Sequence, residues 1–185
     1  MKLTTRYLMT CAAIGAAGGI LLVPTNHLAA VLAPIAPIAY GALVGVWMLP
    51  VVIALALIRR PLAGILTSLI AGLINIPLTP YGASAVVTTL MVGVAMEIFF
   101  ALGLYRVWAT WLFQLAALLL GSLYAWSAWA AFGLATVPVW AQVLFVVVLL
   151  ASVCGFTALG IVVARRLERA GVARGLAPKR RAVAA

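Results

Sequence analysis

The chain has 185 residues, 68% of them hydrophobic and 8% charged, with a mean hydropathy of +1.29. About a quarter of a soluble domain is charged, so a water-soluble globular fold is excluded. Twelve Lys and Arg against two Asp and Glu give a net charge of +10, but the basic residues sit between apolar runs, which argues against a nucleic-acid binder.

Uncharged stretches run from Tyr7 to Ile58, Pro61 to Met96 and Val107 to Ala164, each longer than the about 20 residues that span a bilayer. Helix breakers divide them into six expected transmembrane helices. The first covers 5–23 and stops at a turn, Pro24-Thr25-Asn26-His27. Leu28-Ala29-Ala30 offers small residues like those before a signal-peptide cleavage point, yet the segment is expected to be retained. The second helix covers 34–58 and ends at Arg59-Arg60-Pro61. The third covers 62–78, with Pro61 suited to a first helical turn, and Pro80-Tyr81-Gly82 turns the chain into the fourth, 83–105, which Arg106 closes. The fifth covers 108–132, Gly133 to Pro138 forms a loop, and the sixth covers 139–163. Residues 1–166 thus make a six-helix transmembrane domain, and 167–185 a basic cytoplasmic tail. Cys11 and Cys154 fall inside apolar runs and read as small core residues.

Lys2, Arg6, Arg59, Arg60, Arg106 and the seven basic residues from Arg165 to Arg181 all fall on one side of this topology. The other three loops contain no Lys or Arg. The positive-inside rule therefore places both termini in the cytoplasm of a multi-pass protein of the cell inner (plasma) membrane. The tail attracts anionic lipid at about 1 kcal/mol per basic residue.

Polar residues in the spans carry the functional signal. Glu97 lies nine positions before Arg106, about 13 Å along a helix, which puts it near the midplane. A charge there costs about 3 kcal/mol, so Glu97 is expected to face a ligand or pathway, or else to be protonated and tied to a neighbouring helix, for instance through Gln114. Trp47, between Gly45 and Pro50, is a candidate pocket wall. Asn75, Tyr124 and Trp126 lie in the outer parts of their helices, where a pocket open to the outside would hold a planar solute. Tyr81, Trp129 and Trp140 lie near helix ends, as interfacial aromatics do, and His27 reads as a loop histidine. Ala12, Ala13, Ala16 and Ala17 give two overlapping small-xxx-small patterns for close helix packing, within the bundle or against a second protein. No second intramembrane carboxylate, His-rich metal set or phosphate-binding loop occurs, so neither an enzyme nor a self-contained ATPase is expected.

The segments Gly45-Val46-Trp47-Met48-Leu49-Pro50, Arg59-Arg60-Pro61 with Ala63, Pro80-Tyr81-Gly82, and Gly93-x-x-x-Glu97-x-x-Phe100-Ala101 together resemble the YkoE family. Its members are substrate-binding S components of energy-coupling factor (ECF) vitamin transporters. The resemblance implies an all-α, six-helix S-component bundle that takes up thiamin, its hydroxymethylpyrimidine precursor or a related small heteroaromatic vitamin. It implies docking on a transmembrane T component with two cytosolic ATPases, through Ala12 and Ala16 or Ala13 and Ala17, and no cofactor. The expected site has Glu97 as polar anchor, Trp47 and Trp126 as stacking walls, and Asn75, Tyr81 and Tyr124 as orienting groups. The alternative is a non-transporting membrane subunit that packs through its alanine face and uses Glu97 as an interhelical tie.

Overall fold

A computed structural model describes residues 4–103, 105, 108–131, 133 and 137–172. Among these the chain forms α1 (Thr5–Ile35), α2 (Pro37–Leu43), a 3-10 segment (Val44–Met48), α3 (Leu49–Ile58), α4 (Ala63–Leu78), α5 (Ser84–Leu102), α6 (Thr110–Ala131) and α7 (Val139–Arg169). Five of these stretches, counting Pro37–Ile58 as one, are long and apolar enough to cross a membrane, and α4 is a shorter apolar helix. Lys2, Arg106, the ends of the expected fourth and fifth helices, most of the loop after the fifth and the tail beyond Val172 lie outside the described residues.

The first helix departs from the sequence expectation. No turn forms at Pro24-Thr25-Asn26-His27, and α1 continues for 31 residues to Ile35, about 46 Å at 1.5 Å per residue. The polar residues are not a break but a buried contact. Asn26 is 4% exposed and bonds two neighbouring segments, while the Thr25 hydroxyl donates to Leu21 O at 3.2 Å within the helix. Proline is tolerated inside membrane helices where neighbours and Ser/Thr hydroxyls compensate for its missing N–H. The expected second helix likewise starts at Pro37, not Pro34. The residue before a proline is pushed out of the helical region, and Ala36 accordingly has φ −144°.

Pro50 explains the 3-10 segment. Its ring nitrogen has no hydrogen for Val46 O, four residues back, so the chain tightens and Leu49 N donates to Val46 O instead. Close approaches fix the neighbours of this segment. A Cβ on Gly15 would stand 2.8 Å from Thr67 O and 2.9 Å from Ile70 Cβ, so the absence of side chains lets α1 lie directly on α4. Gly45 does the same for the 3-10 segment against α7, where its N–H donates to Ser152 Oγ at 3.1 Å. The Pro80-Tyr81-Gly82 turn closes with Gly82 at φ 51°, a conformation glycine adopts without strain.

The arginines gather at one end. Arg59 pairs with Glu168 at 3.5 Å, Arg165 donates to Thr110 Oγ1 at 3.0 Å, and Tyr7, next to Arg6, donates from its hydroxyl to Pro61 O at 2.8 Å. α7 runs to Arg169, past the expected end at 163, and so carries Arg165, Arg166 and Arg169 on its last turns.

Candidate functional site

A cavity of about 480 Å³ opens in the half of the bundle away from the arginines, within the size range of small-molecule sites. Its wall combines Asn26 of α1, Tyr40 of α2, Trp47 and Met48, the loop residue Tyr81, the first half of α5 from Ala85 to Ala95 and the last half of α6 from Leu120 to Ser127. Trp47 meets Tyr40 and Tyr124 edge-on, with ring centroids 6.1 and 6.2 Å away, an arrangement that aromatic quadrupoles favour. The Tyr40 and Tyr124 hydroxyls bond one another across α2 and α6.

One polar network positions the tryptophan. Trp47 Nε1 donates to Asn26 Oδ1 at 2.8 Å, Asn26 Nδ2 donates to Asn75 Oδ1 at 2.9 Å, and Asn75 Nδ2 donates to Gly19 O at 3.0 Å and Ala71 O at 2.7 Å. Buried amides in an apolar bundle are costly unless bonded, and here each bonds to the next. Tyr81 is half-buried at the rim, and burial raises its hydroxyl pKa above the ordinary value. His27 is exposed and bonds Leu78 O through Nε2 at 2.9 Å.

The structure brings together three of the expected site residues, Trp47, Tyr81 and Tyr124, with Asn75 directly behind them. Two others lie elsewhere. Trp126 is 80% exposed on the outer face of α6, where lipid would surround it. Glu97 is buried at the arginine end, outside the cavity wall. Because α5 stops at Leu102, Glu97 is five residues from the helix end, about 8 Å at 1.5 Å per residue, and not at the midplane. Its carboxylate accepts from Leu62 N, from Ile65 N at 3.1 Å and from the Tyr105 hydroxyl at 3.3 Å. It thus satisfies amides that the start of α4 leaves without helical partners, and its negative charge sits at the positive end of the helix dipole. Burial, then the Glu97 charge, pushes the Tyr105 hydroxyl pKa up to about 12, so Tyr105 remains a proton donor to the carboxylate. Gln114 takes no part, since its amide donates to Cys154 O at 3.3 Å.

Sequence reasoning missed Asn26 and Tyr40. Asn26 had a signal, a carboxamide inside the uncharged 52-residue stretch from Tyr7 to Ile58, but Pro24 two positions earlier gave it a turn reading. On α1 the small residues divide. Gly15, Gly18 and Gly19 face α4 and α3, Ala12 and Ala16 are half-buried, and Ala13 and Ala17 are exposed.

The model of the family described as "ABC-type cobalt transport system, permease component" matches residues 6–123, well over half of the chain. The chain belongs to that family. This permease-family chain also shares its fold with a crystal structure described as an S-component of ECF transporter. The two align with a TM-score of 0.82 over 94% of this chain and 90% of that one, at 24% identity. That likeness shows the fold, and it is the all-α S-component bundle that the sequence resemblance implies. No curated protein matches the chain.

The cobalt in the family description is a cargo that the wall chemistry can be tested against. Cobalt(II) is held by imidazole, carboxylate or thiolate donors. Among the described residues no group of three or more His, Cys, Asp and Glu lies close enough to hold a metal ion, and the cavity wall contains none of those four residue types. The wall offers aromatic, amide and hydroxyl groups.

Proposed function

We propose that the chain is the substrate-binding S component of an ECF-type importer and that the aromatic cavity holds a small heteroaromatic vitamin or vitamin precursor. The observation that carries this reading is the cavity itself: Trp47, Tyr40 and Tyr124 form an aromatic corner whose rings offer faces and edges to a planar solute, in a bundle with the S-component fold. Hydroxymethylpyrimidine fits better than thiamin, because Glu97 is turned away and no carboxylate faces the cavity to balance a thiazolium charge. The resemblance of the Gly45–Pro50, Arg59–Pro61 and Gly93–Ala101 segments to the YkoE family agrees with this cargo. The arginine end is cytoplasmic by the positive-inside rule, so both termini are inside and the cavity opens to the exterior. Transport energy then comes from two cytosolic ATPases acting through a transmembrane T component, which docks on the outer face of α1 at Ala13 and Ala17, with Ala12 and Ala16 beside them.

Cobalt as cargo is the second reading, favoured by the family description alone. Co-purification with the T and ATPase subunits, followed by uptake into ATP-loaded proteoliposomes, separates the two. The proposal expects ATP-dependent accumulation of labelled hydroxymethylpyrimidine or a related ring and none of labelled cobalt. ATP-dependent cobalt accumulation without uptake of any ring compound would overturn it.

A further inference from the structure

Most hydroxyl protons at the cavity wall are committed. Thr88 donates to Ser84 O at 3.0 Å, Thr89 to Ala85 O at 2.8 Å and Ser127 to Tyr124 O at 2.8 Å, while one hydroxyl of the Tyr40–Tyr124 pair donates to the other. The Trp47 N–H is spent on Asn26. These groups still accept hydrogen bonds but have little left to give. Asn26 differs. A carboxamide has two N–H donors and two oxygen lone pairs, and the bonds to Trp47 and Asn75 use one of each. One N–H and one lone pair remain, in the plane of the same carboxamide. That plane does not rotate freely, because Trp47 fixes the oxygen side and Asn75, itself anchored to Gly19 O and Ala71 O, fixes the nitrogen side.

We infer that Asn26 is the specificity-determining residue of the cavity, reading an adjacent donor and acceptor on the edge of an uncharged nitrogen heteroaromatic held against Trp47. A ring nitrogen beside an exocyclic amino group presents that edge, and a planar amide recognises it at two points, as Asn and Gln recognise the N6/N7 edge of adenine. A rotating hydroxyl accepts either polarity and cannot discriminate in this way. Asn75 and Trp47 act here as positioning residues that hold the amide in one orientation. This inference rests on the heteroaromatic reading of the cavity and names the feature of the ring that it selects.

The test uses two defined probes, 4-amino-5-hydroxymethyl-2-methylpyrimidine and its counterpart without the amino group. Their affinities for the purified full chain are measured by tryptophan quenching, with melting temperature recorded for each variant. The wild type is expected to prefer the amino compound about tenfold or more, since unmatched polar groups at a two-point site are costly. Asn26→Leu and Asn26→Asp are expected to bring the ratio close to one. A purely structural Asn26 would weaken both probes equally and leave the ratio unchanged, which would overturn the inference while sparing the vitamin reading. If a variant fails to fold, the wild-type ratio still decides, and equal affinity for the two probes overturns the inference. Binding of neither probe by the wild type overturns it together with the pyrimidine reading beneath it.

Discussion

Removing the Glu97 carboxylate separates two roles that the sequence left open. In Glu97→Ala the amides of Leu62 and Ile65 and the Tyr105 hydroxyl all lose their acceptor. Loss of a helix cap costs about 1 to 2 kcal/mol, and a hydrogen bond to a charged group is worth about 1.5 to 3 kcal/mol. Relaxation of Leu62 in the variant offsets part of this loss, because it has φ 68°, a left-handed conformation that costs a non-glycine residue about 1 kcal/mol or more and persists only where the surroundings hold it. The contributions overlap, so a destabilisation of about 3 kcal/mol is expected for Glu97→Ala. Glu97→Gln keeps one acceptor oxygen and is expected to lose about 1 kcal/mol. Thermal unfolding in detergent reads the stability, and ring-compound titration reads binding in the same samples below the transition. Both variants should melt several degrees below wild type, Ala more than Gln, with affinity changed less than twofold wherever the protein is folded. Unchanged melting together with abolished binding would refute the capping argument and return Glu97 to the ligand.

Four further outcomes follow from the same geometry. Trp126→Ala should leave binding unaltered, because that side chain points away from the cavity; a titration showing tenfold weaker binding would contradict its placement. Asn75→Ala removes the anchor of Asn26 and should cost about 2 to 3 kcal/mol by exposing buried partners without bonds, as seen by thermal unfolding. Leu62→Gly should be neutral or stabilising by up to about 1 kcal/mol, since glycine takes φ 68° without strain, and a large loss in melting temperature would count against it. Ala17→Leu should reduce co-purification of the T component while ring binding by the isolated chain stays intact; retained assembly would move the docking face elsewhere.

The membrane class and the all-helical bundle were legible because charge and hydropathy act along the whole chain: arginines at 59, 60, 165 and 166 bracket long uncharged runs that only apolar helices accommodate. Helix phase was not legible. In an all-apolar span lipid-facing and core-facing positions look alike, so nothing in the sequence turned Trp126 outward and Trp47 inward. Asn26 was misread because proline two positions before asparagine is a turn signal in water, whereas in a bundle the same asparagine is a buried donor and acceptor. Glu97 stood out in the sequence as a residue needing a partner; in the structure it accepts from backbone amides at the start of α4 and from the Tyr105 hydroxyl, and backbone groups leave no trace in a motif. Trp47, Tyr81 and Tyr124 converge through the tertiary fold, although consecutive members of the trio lie 34 and 43 positions apart in the chain.

Titration of the purified chain and of Trp47→Ala with hydroxymethylpyrimidine, thiamin, riboflavin and biotin, with cobalt chloride as the ionic competitor, tests the central claim most directly. Calorimetry supplies the readout, so that binding does not depend on the tryptophan that is removed. The account predicts saturable binding of one ring compound at a single site, at least tenfold weaker in Trp47→Ala and insensitive to cobalt. Saturable cobalt binding that survives Trp47→Ala, with no heat from any ring compound, would contradict it.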